Sequence, residues 1–319
     1  MDTSAEGAAT PVHPPHATRC ALIRNPNSRH ALTHAQLDGA LTRARRAGWS
    51  ITVTDTQGEG DATHIARGAV SDGVDAIIVH GGDGTINEAV GAMAGTPVAL
   101  GLIPAGTANV WAGETRIPKE AAAALEVILH GERVRVDLGR AGDRWFLLMA
   151  GIGLDALIVP AVSARMKRRL GAASYLVVGA WRALRTKPWH VDMRVDGRAI
   201  SSPLYWMIVA NTRSYGGLTD IMHRAVADDG LLDVGMMRRG GVHRLARDGA
   251  LVLLKKLERS PNVEYVQARV VEIDTPGIPV QLDGEAAGRT PMRFEVVPRA
   301  LTVIVPRDLS TPLFSRDVS

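Results

Sequence analysis

The chain has 319 residues, 46% of them hydrophobic and only 4% aromatic, enough for two domains with cores built mainly of Val, Leu, Ile and Ala. A formal net charge of +4 suits anionic partners without choosing among nucleotide, acidic membrane and nucleic acid. The single cysteine, Cys20, excludes an internal disulfide and reads as a small buried residue rather than a nucleophile. No apolar run reaches the roughly 18 residues that a bilayer-spanning helix needs.

Residues 1–17, rich in Ala, Pro, His and Thr, lack a basic start followed by an apolar core, so they read as a disordered tail and not as a secretory signal. A first strand at 19–24 runs into the polar turn Asn25-Pro26-Asn27-Ser28. Leu37, Leu41, Ala44 and Ala47 mark an amphipathic helix that ends near Gly48. Residues 50–54 alternate as a second strand, a loop from Thr56 to Asp61 follows, and Ala62, Ile65, Ala66 and Ala69 give the next helix. The run 75–79 is a buried third strand; it leads through His80-Gly81-Gly82-Asp83-Gly84-Thr85 into a helix with Ile86, Val90 and Met93 on one face. A fourth strand at 96–103 ends in Pro104-Ala105-Gly106-Thr107-Ala108-Asn109, and a helix at 119–130 is closed by Gly131. This rhythm predicts a parallel sheet with helices on both faces, an α/β domain over 18–140.

Two glycine turns at neighbouring strand ends are suggestive chemistry. Glycine lets the backbone approach a ligand, free N–H groups at a helix start favour phosphate, and the carboxyl ends of strands are where open α/β sheets bind ligands. Each turn alone is equally a structural one, with Thr85 and Thr107 capping helices and Asn87 and Asn109 satisfying backbone. As a pair they are placed to face one another across a nucleotide.

After residue 134 the pattern changes to short strands at 134–138, 145–150, 190–195, 200–209, 231–236, 268–273, 280–283 and 301–305, with Asp196-Gly197 as a hairpin signal. Helices are expected at about 156–186 and 242–258. The reading is a mainly antiparallel, β-sandwich-like domain over 141–297, with residues from about 298 to 319 returning to the first domain. Gly151-Ile152-Gly153-Leu154-Asp155-Ala156 has the outline of a dinucleotide fingerprint, but no Asp or Glu lies between Asp155 and Asp192 to hold a ribose, and a dehydrogenase is excluded. Arg165, Lys167, Arg168, Arg169, Arg182, Arg185 and Lys187 are interleaved with apolar residues and no acid. That segment fits both the surface of an anionic bilayer and a core helix with a solvated basic rim. Its aromatics sit within the apolar run, which argues against nucleic acid.

Gly81-Gly82-Asp83-Gly84-Thr85-Ile86-Asn87-Glu88 followed by Pro104-Ala105-Gly106-Thr107-Ala108-Asn109 resembles the diacylglycerol kinase catalytic family, which includes bacterial lipid kinases, sphingosine kinases and ceramide kinases. The resemblance runs from about 18 to 306 and implies an ATP-dependent lipid kinase with its active site in an interdomain cleft. ATP would be held by Asn25 and Ser28, Thr56, the Gly81, Gly82, Asp83, Gly84, Thr85 and Asn87 loop, and Gly106, Thr107 and Asn109. Arg29 stands where the family carries glycine. Asp228-Asp229-Gly230-Leu231-Leu232-Asp233-Val234 resembles the family's Mg²⁺ segment and implies ligation by the Asp229 carboxylate with the carbonyls of Val226 and Leu231, an oxygen set that suits a hard cation. His223 replaces a frequent proline.

An alcohol needs a carboxylate to take its proton. The turn Gln281-Leu282-Asp283-Gly284-Glu285 offers two, Asp283 and Glu285, and in the family it faces the first glycine loop. Glu285 is the first choice of base, by match to the bacterial lipid kinases, and Asp83 the second. The implied partners are a lipid substrate and an anionic membrane, with the protein cytoplasmic and peripheral at the inner membrane face; a homodimer is compatible. Two alternatives stay open: an NAD kinase-like enzyme, since the Gly-Gly-Asp-Gly-Thr turn also occurs there, and a non-enzymatic nucleotide- or lipid-binding module.

Overall fold

A computed structural model describes residues 18–158, 161, 166, 178–179, 181–182, 185–217, 221–238, 247–248, 251 and 260–315. The expected tail at 1–17 lies outside them, as do most of the helices expected at 156–186 and 242–258.

Strands β1 (Arg19–Arg24), β2 (Ser50–Asp55), β3 (Ala76–Gly81) and β4 (Ala99–Pro104) pair in parallel in the order β2-β1-β3-β4. Every residue of β3 and β4 is buried, which is why both read as unbroken apolar runs. Helix α1 (His34–Arg46) opens on a capping box between Thr33 and Gln36 and buries Leu37, Leu41 and Ala44. It packs beside α5 (Ala121–His130), while α2 (Asp61–Ser71) packs beside α3 (Asp83–Met93); α4 (Val110–Glu114) is a single short turn. Burying one Leu, Ile or Val side chain here contributes about 1.5–3 kcal/mol. Cys20 is buried in β1, and burial pushes its thiol up to about 12.

The second half is antiparallel. Strands β7 (Met149–Gly153), β10 (Trp206–Ala210), β11 (Leu232–Met237), β12 (Val263–Ala268), β14 (Pro279–Leu282) and β15 (Glu285–Arg289) form a six-stranded sheet in the order β12-β11-β10-β7-β14-β15. Strands β5 (Glu132–Ala141), β6 (Arg144–Phe146), β8 (Trp189–Val195), β9 (Arg198–Leu204), β13 (Val270–Ile273) and β16 (Met292–Val305) extend the parallel sheet to ten strands, with β16 beside β4. Phe146, Ile152, Val209, Val234, Val271 and Phe294 fill the core of this sandwich. Helix α6 (Leu154–Ile158) follows β7 directly. Among the described residues, no helix is long and apolar enough to cross a membrane.

Three apolar runs expected as single strands are each two strands, one in either sheet. The run 145–150 breaks between β6 and β7, 200–209 breaks at Tyr205 between β9 and β10, and 268–273 breaks at Arg269 between β12 and β13. Buried Leu147, Leu148 and Tyr205 carry the first two runs through their corners, while the third turns at exposed Arg269. The freed backbone donors are met from afar: Leu147 and Leu148 N–H by Asp283, Arg269 and Val270 N–H by Asp196, and Tyr205 N–H by the Met237 carbonyl.

Candidate functional site

The two glycine turns meet at the ends of β3 and β4. A Cβ on Gly106 would lie 2.5 Å from the Gly82 Cα, so two backbones touch where any side chain would force them apart. The turns therefore touch, and the open space lies across them and not between them. Capping also differs from expectation. The N-cap of α3 is Gly82, with no side-chain cap, and the positive end of the helix dipole points into this loop. Asn109 is the N-cap of α4, in a left-handed conformation at φ 51, and the Asp83 carboxylate accepts both Asn109 N–H (2.9 Å) and Val110 N–H (2.8 Å). One loop thus caps the helix of the other.

Behind these loops, His80 is buried and held neutral. Its Nε2 accepts Leu32 N–H at 2.9 Å, which leaves the proton on Nδ1 facing the Ile103 carbonyl, and desolvation lowers its pKa. This pins the loop after β1, where Asn25 N–H donates to the His80 carbonyl and Asn25 Nδ2 donates to Thr85 Oγ1.

The opposing wall is the hairpin between β14 and β15. Asp283 (φ 48) and Gly284 (φ 88) are its two central residues, both left-handed as a type I′ turn requires. Asp283 accepts N–H bonds from Leu147 (2.7 Å), Leu148 (2.9 Å) and Met149 (2.8 Å), and the Asn87 amide nitrogen, turned as its acceptor neighbours demand, lies 3.2 Å from the same carboxyl. Desolvation pushes Asp283 up to about 7 against the pull of those donors, and the charge of Asp83 adds to the rise. Glu285 follows on β15, half-buried, with Oε1 over Gly84, where a Cβ would sit 3.0 Å away. Arg144 lies 3.5 Å from Glu285 and donates to the Ala286 carbonyl. Desolvation raises the Glu285 pKa, Arg144 pulls it down, and Glu88 and Glu59 push it up.

Both walls enclose one cavity of about 590 Å³. Asn25, Ser28, Arg29 and Thr56 line one side; Gly82, Asp83, Gly84 and Thr85 line the base; Gly106, Thr107, Asp283 and Glu285 complete it. Gly81, Asn87 and Asn109 stand behind this surface and support it. Val226, Asp229 and Leu231 do not line it: their segment packs against β5, β16 and the chain end, where Ala227 N–H donates to the Leu313 carbonyl and Gly230 N–H to Asp137. Asp229 accepts Leu231 N–H, and its pKa is raised by desolvation and by the charges of Asp137 and Asp228. Among the described residues, no group of three His, Cys, Asp or Glu side chains is placed to hold a metal ion. Tyr215 and Gln281 also line the cavity, and the sequence offered no chemical reason to single them out.

The loops, the hairpin and the sheet order have counterparts among known proteins. Residues 19–141 match the family described as "Diacylglycerol kinase catalytic domain", and residues 149–305 match "YegS C-terminal NAD kinase beta sandwich-like domain". The chain belongs to the diacylglycerol kinase catalytic family. The diacylglycerol kinase of Mycobacterium tuberculosis is 33% identical over 296 residues, covering 91% of this chain and 96% of that one. The probable lipid kinase YegS-like of Chromohalobacter salexigens is 34% identical over 276 residues, covering 84% and 88%. A crystal structure of a diacylglycerol kinase from Bacillus anthracis superposes with a TM-score of 0.75 at 25% identity, covering 91% of this chain and 97% of that one.

Proposed function

We propose that the chain is an ATP-dependent lipid kinase that transfers the γ-phosphoryl group to a lipid hydroxyl in the cavity between the glycine loops and the Asp283-Gly284-Glu285 hairpin. The observation that carries the reading is the meeting of the positive end of the α3 dipole, two glycine-bearing loops and the Glu285 carboxylate in one enclosure. The α3 N-terminus and the backbone of the loops would receive the phosphates, with Arg29 as a nearby cation. Phosphoryl transfer asks the protein mainly for positioning and charge stabilisation.

Glu285 is the base. Its carboxylate takes the hydroxyl proton as the lipid oxygen bonds to the γ-phosphorus and the bond to the leaving ADP breaks. Asp83 and Asp283 are positioning residues instead, because their oxygens already accept backbone N–H groups of other loops. Mg²⁺ bound with the nucleotide would neutralise phosphate charge in the cavity. Asp229 with the Val226 and Leu231 carbonyls would hold a separate cation, whose charge would relieve the repulsion among Asp137, Asp228 and Asp229.

Contact with an anionic membrane surface is supported by Trp181, 50% exposed, with the Arg182 and Arg185 guanidinium groups 5.2 and 4.2 Å from its ring. The deciding experiment is incubation with γ-labelled ATP and a panel of diacylglycerol, sphingosine, ceramide and NAD, with mass detection of products. A phosphorylated lipid is expected. Labelled NAD phosphate with no lipid product would move the chain to the soluble-acceptor alternative, and nucleotide binding with no product at all would support a binding module.

A further inference from the structure

We propose that Asp155, acting through Gln281, is a positioning residue that fixes the turn carrying Glu285; the inference rests on Glu285 being the base. Asp155 sits in the first turn of α6 and is fully buried, a costly place for a carboxylate unless its bonds have a purpose. It accepts the Tyr215 hydroxyl proton on Oδ1 and Gln281 Nε2–H on Oδ2 at 2.8 Å. The other end of the same Gln281 amide, Oε1, accepts Gly284 N–H at 2.6 Å. Gly284 is the second central residue of the hairpin, and Glu285 comes next.

The chain of bonds has one polarity. Gly284 N–H needs the oxygen of Gln281, so the amide must offer its nitrogen inward, and only an acceptor at Asp155 can receive it. The fold makes room for this meeting. Gly151 pairs with Gln281 across β7 and β14, and a Cβ on Gly151 would lie 1.6 Å from Asp155 Oδ2 and 2.5 Å from Gln281 Nε2. Both ends of the chain, Tyr215 and Gly284, line the cavity, so a buried carboxylate ties the 211–217 loop to the base-bearing hairpin.

Reversing the polarity tests this. Gln281→Glu sets a second carboxylate against Asp155, while Asp155→Asn added to it restores the bond between the two with donor and acceptor exchanged and leaves Gly284 N–H and the Tyr215 hydroxyl donating as before. The single variant Gln281→Glu should lose at least about 30-fold in kcat with the KM for ATP within about twofold. The double variant should recover to within about threefold of the parent, and Gln281→Glu built into Glu285→Gln should cost nothing further. Gln281→Ala, which removes the acceptor for Gly284 N–H without adding charge, should show the same kcat loss if Gln281→Glu does not fold. A folded Gln281→Glu with unchanged kcat, or a folded double variant no better than the single, overturns the inference. Full activity of Glu285→Gln overturns the base assignment instead, and the two failures are read separately.

Discussion

The Asp196-Gly197 turn joining β8 to β9 and the Asp283-Gly284 turn joining β14 to β15 have nearly the same backbone, φ 46 then 79 in the first and 48 then 88 in the second. Each aspartate also reaches away from its own hairpin to accept N–H groups at a corner where the chain passes between sheets: Arg269 and Val270 for Asp196, Leu147 to Met149 for Asp283. The same Asp-Gly pair thus serves as both turn and clamp in each place. What separates them is the setting. Asp196 is exposed and is followed by Arg198 on the outer edge of the ten-stranded sheet; Asp283 is followed by Glu285, which hangs over the first turn of α3. The turns match; the loop opposite differs.

The sharpest way to break that contrast is at the residue after each turn. Glu285→Gln should keep nucleotide binding and lose about 10²–10⁴-fold in kcat, the range general-base removal gives, while Arg198→Gln leaves turnover unchanged in the same labelled-ATP assay. Next come the clamps. Asp283→Ala strands three donors at a shielded corner, and with each buried unpaired donor costing about 1–3 kcal/mol, chemical denaturation should show a loss of several kcal/mol. Asp196→Ala, at a solvated corner, should cost about 1 kcal/mol or less and spare activity. Smaller again are the glycines: Gly284→Ala and Gly197→Ala should each destabilise by about 1–2 kcal/mol through their left-handed φ, but only the first should lower kcat.

The gentlest probe is electrostatic. Desolvation raises the Glu285 pKa and Arg144 opposes the rise. A base acts ionised, so turnover falls as pH drops through that raised pKa. Removing the cation in Arg144→Ala favours the protonated form, and the acid limb of the kcat/KM profile should move to higher pH. A limb that stays in place or moves down would separate Glu285 from the rate.

Much of this was legible beforehand. The parallel half announces itself because β3 and β4 are buried on both faces and α1 and α2 are amphipathic, so period and composition agree. The glycine turns and the acidic hairpin could be read because their residues do local work. The sandwich was harder. Two of its corners, at Leu147-Leu148 and Tyr205, are buried, and strand periodicity cannot tell a strand that continues from one that changes sheet. Strand β15, Glu285-Ala286-Ala287-Gly288-Arg289, has little β propensity and is held by its hairpin partner. β16 contains Pro298 and Arg299 at a register shift between Val297 and Leu301, so only its last residues looked like a strand. In the site, Asp83 as the cap of a helix after another strand, and the bond from Gln281 to Asp155, are long-range contacts with no trace in local spacing.

Strand β16 begins beside β13, runs along β5 for most of its length and finishes against β4. A single ribbon is thus woven into both halves of the molecule, which makes them one girder and not a pair of jaws on a flexible strap. The sheet that ends in the glycine loops and the sandwich that carries Glu285 are therefore joined through paired backbone and not through a linker alone.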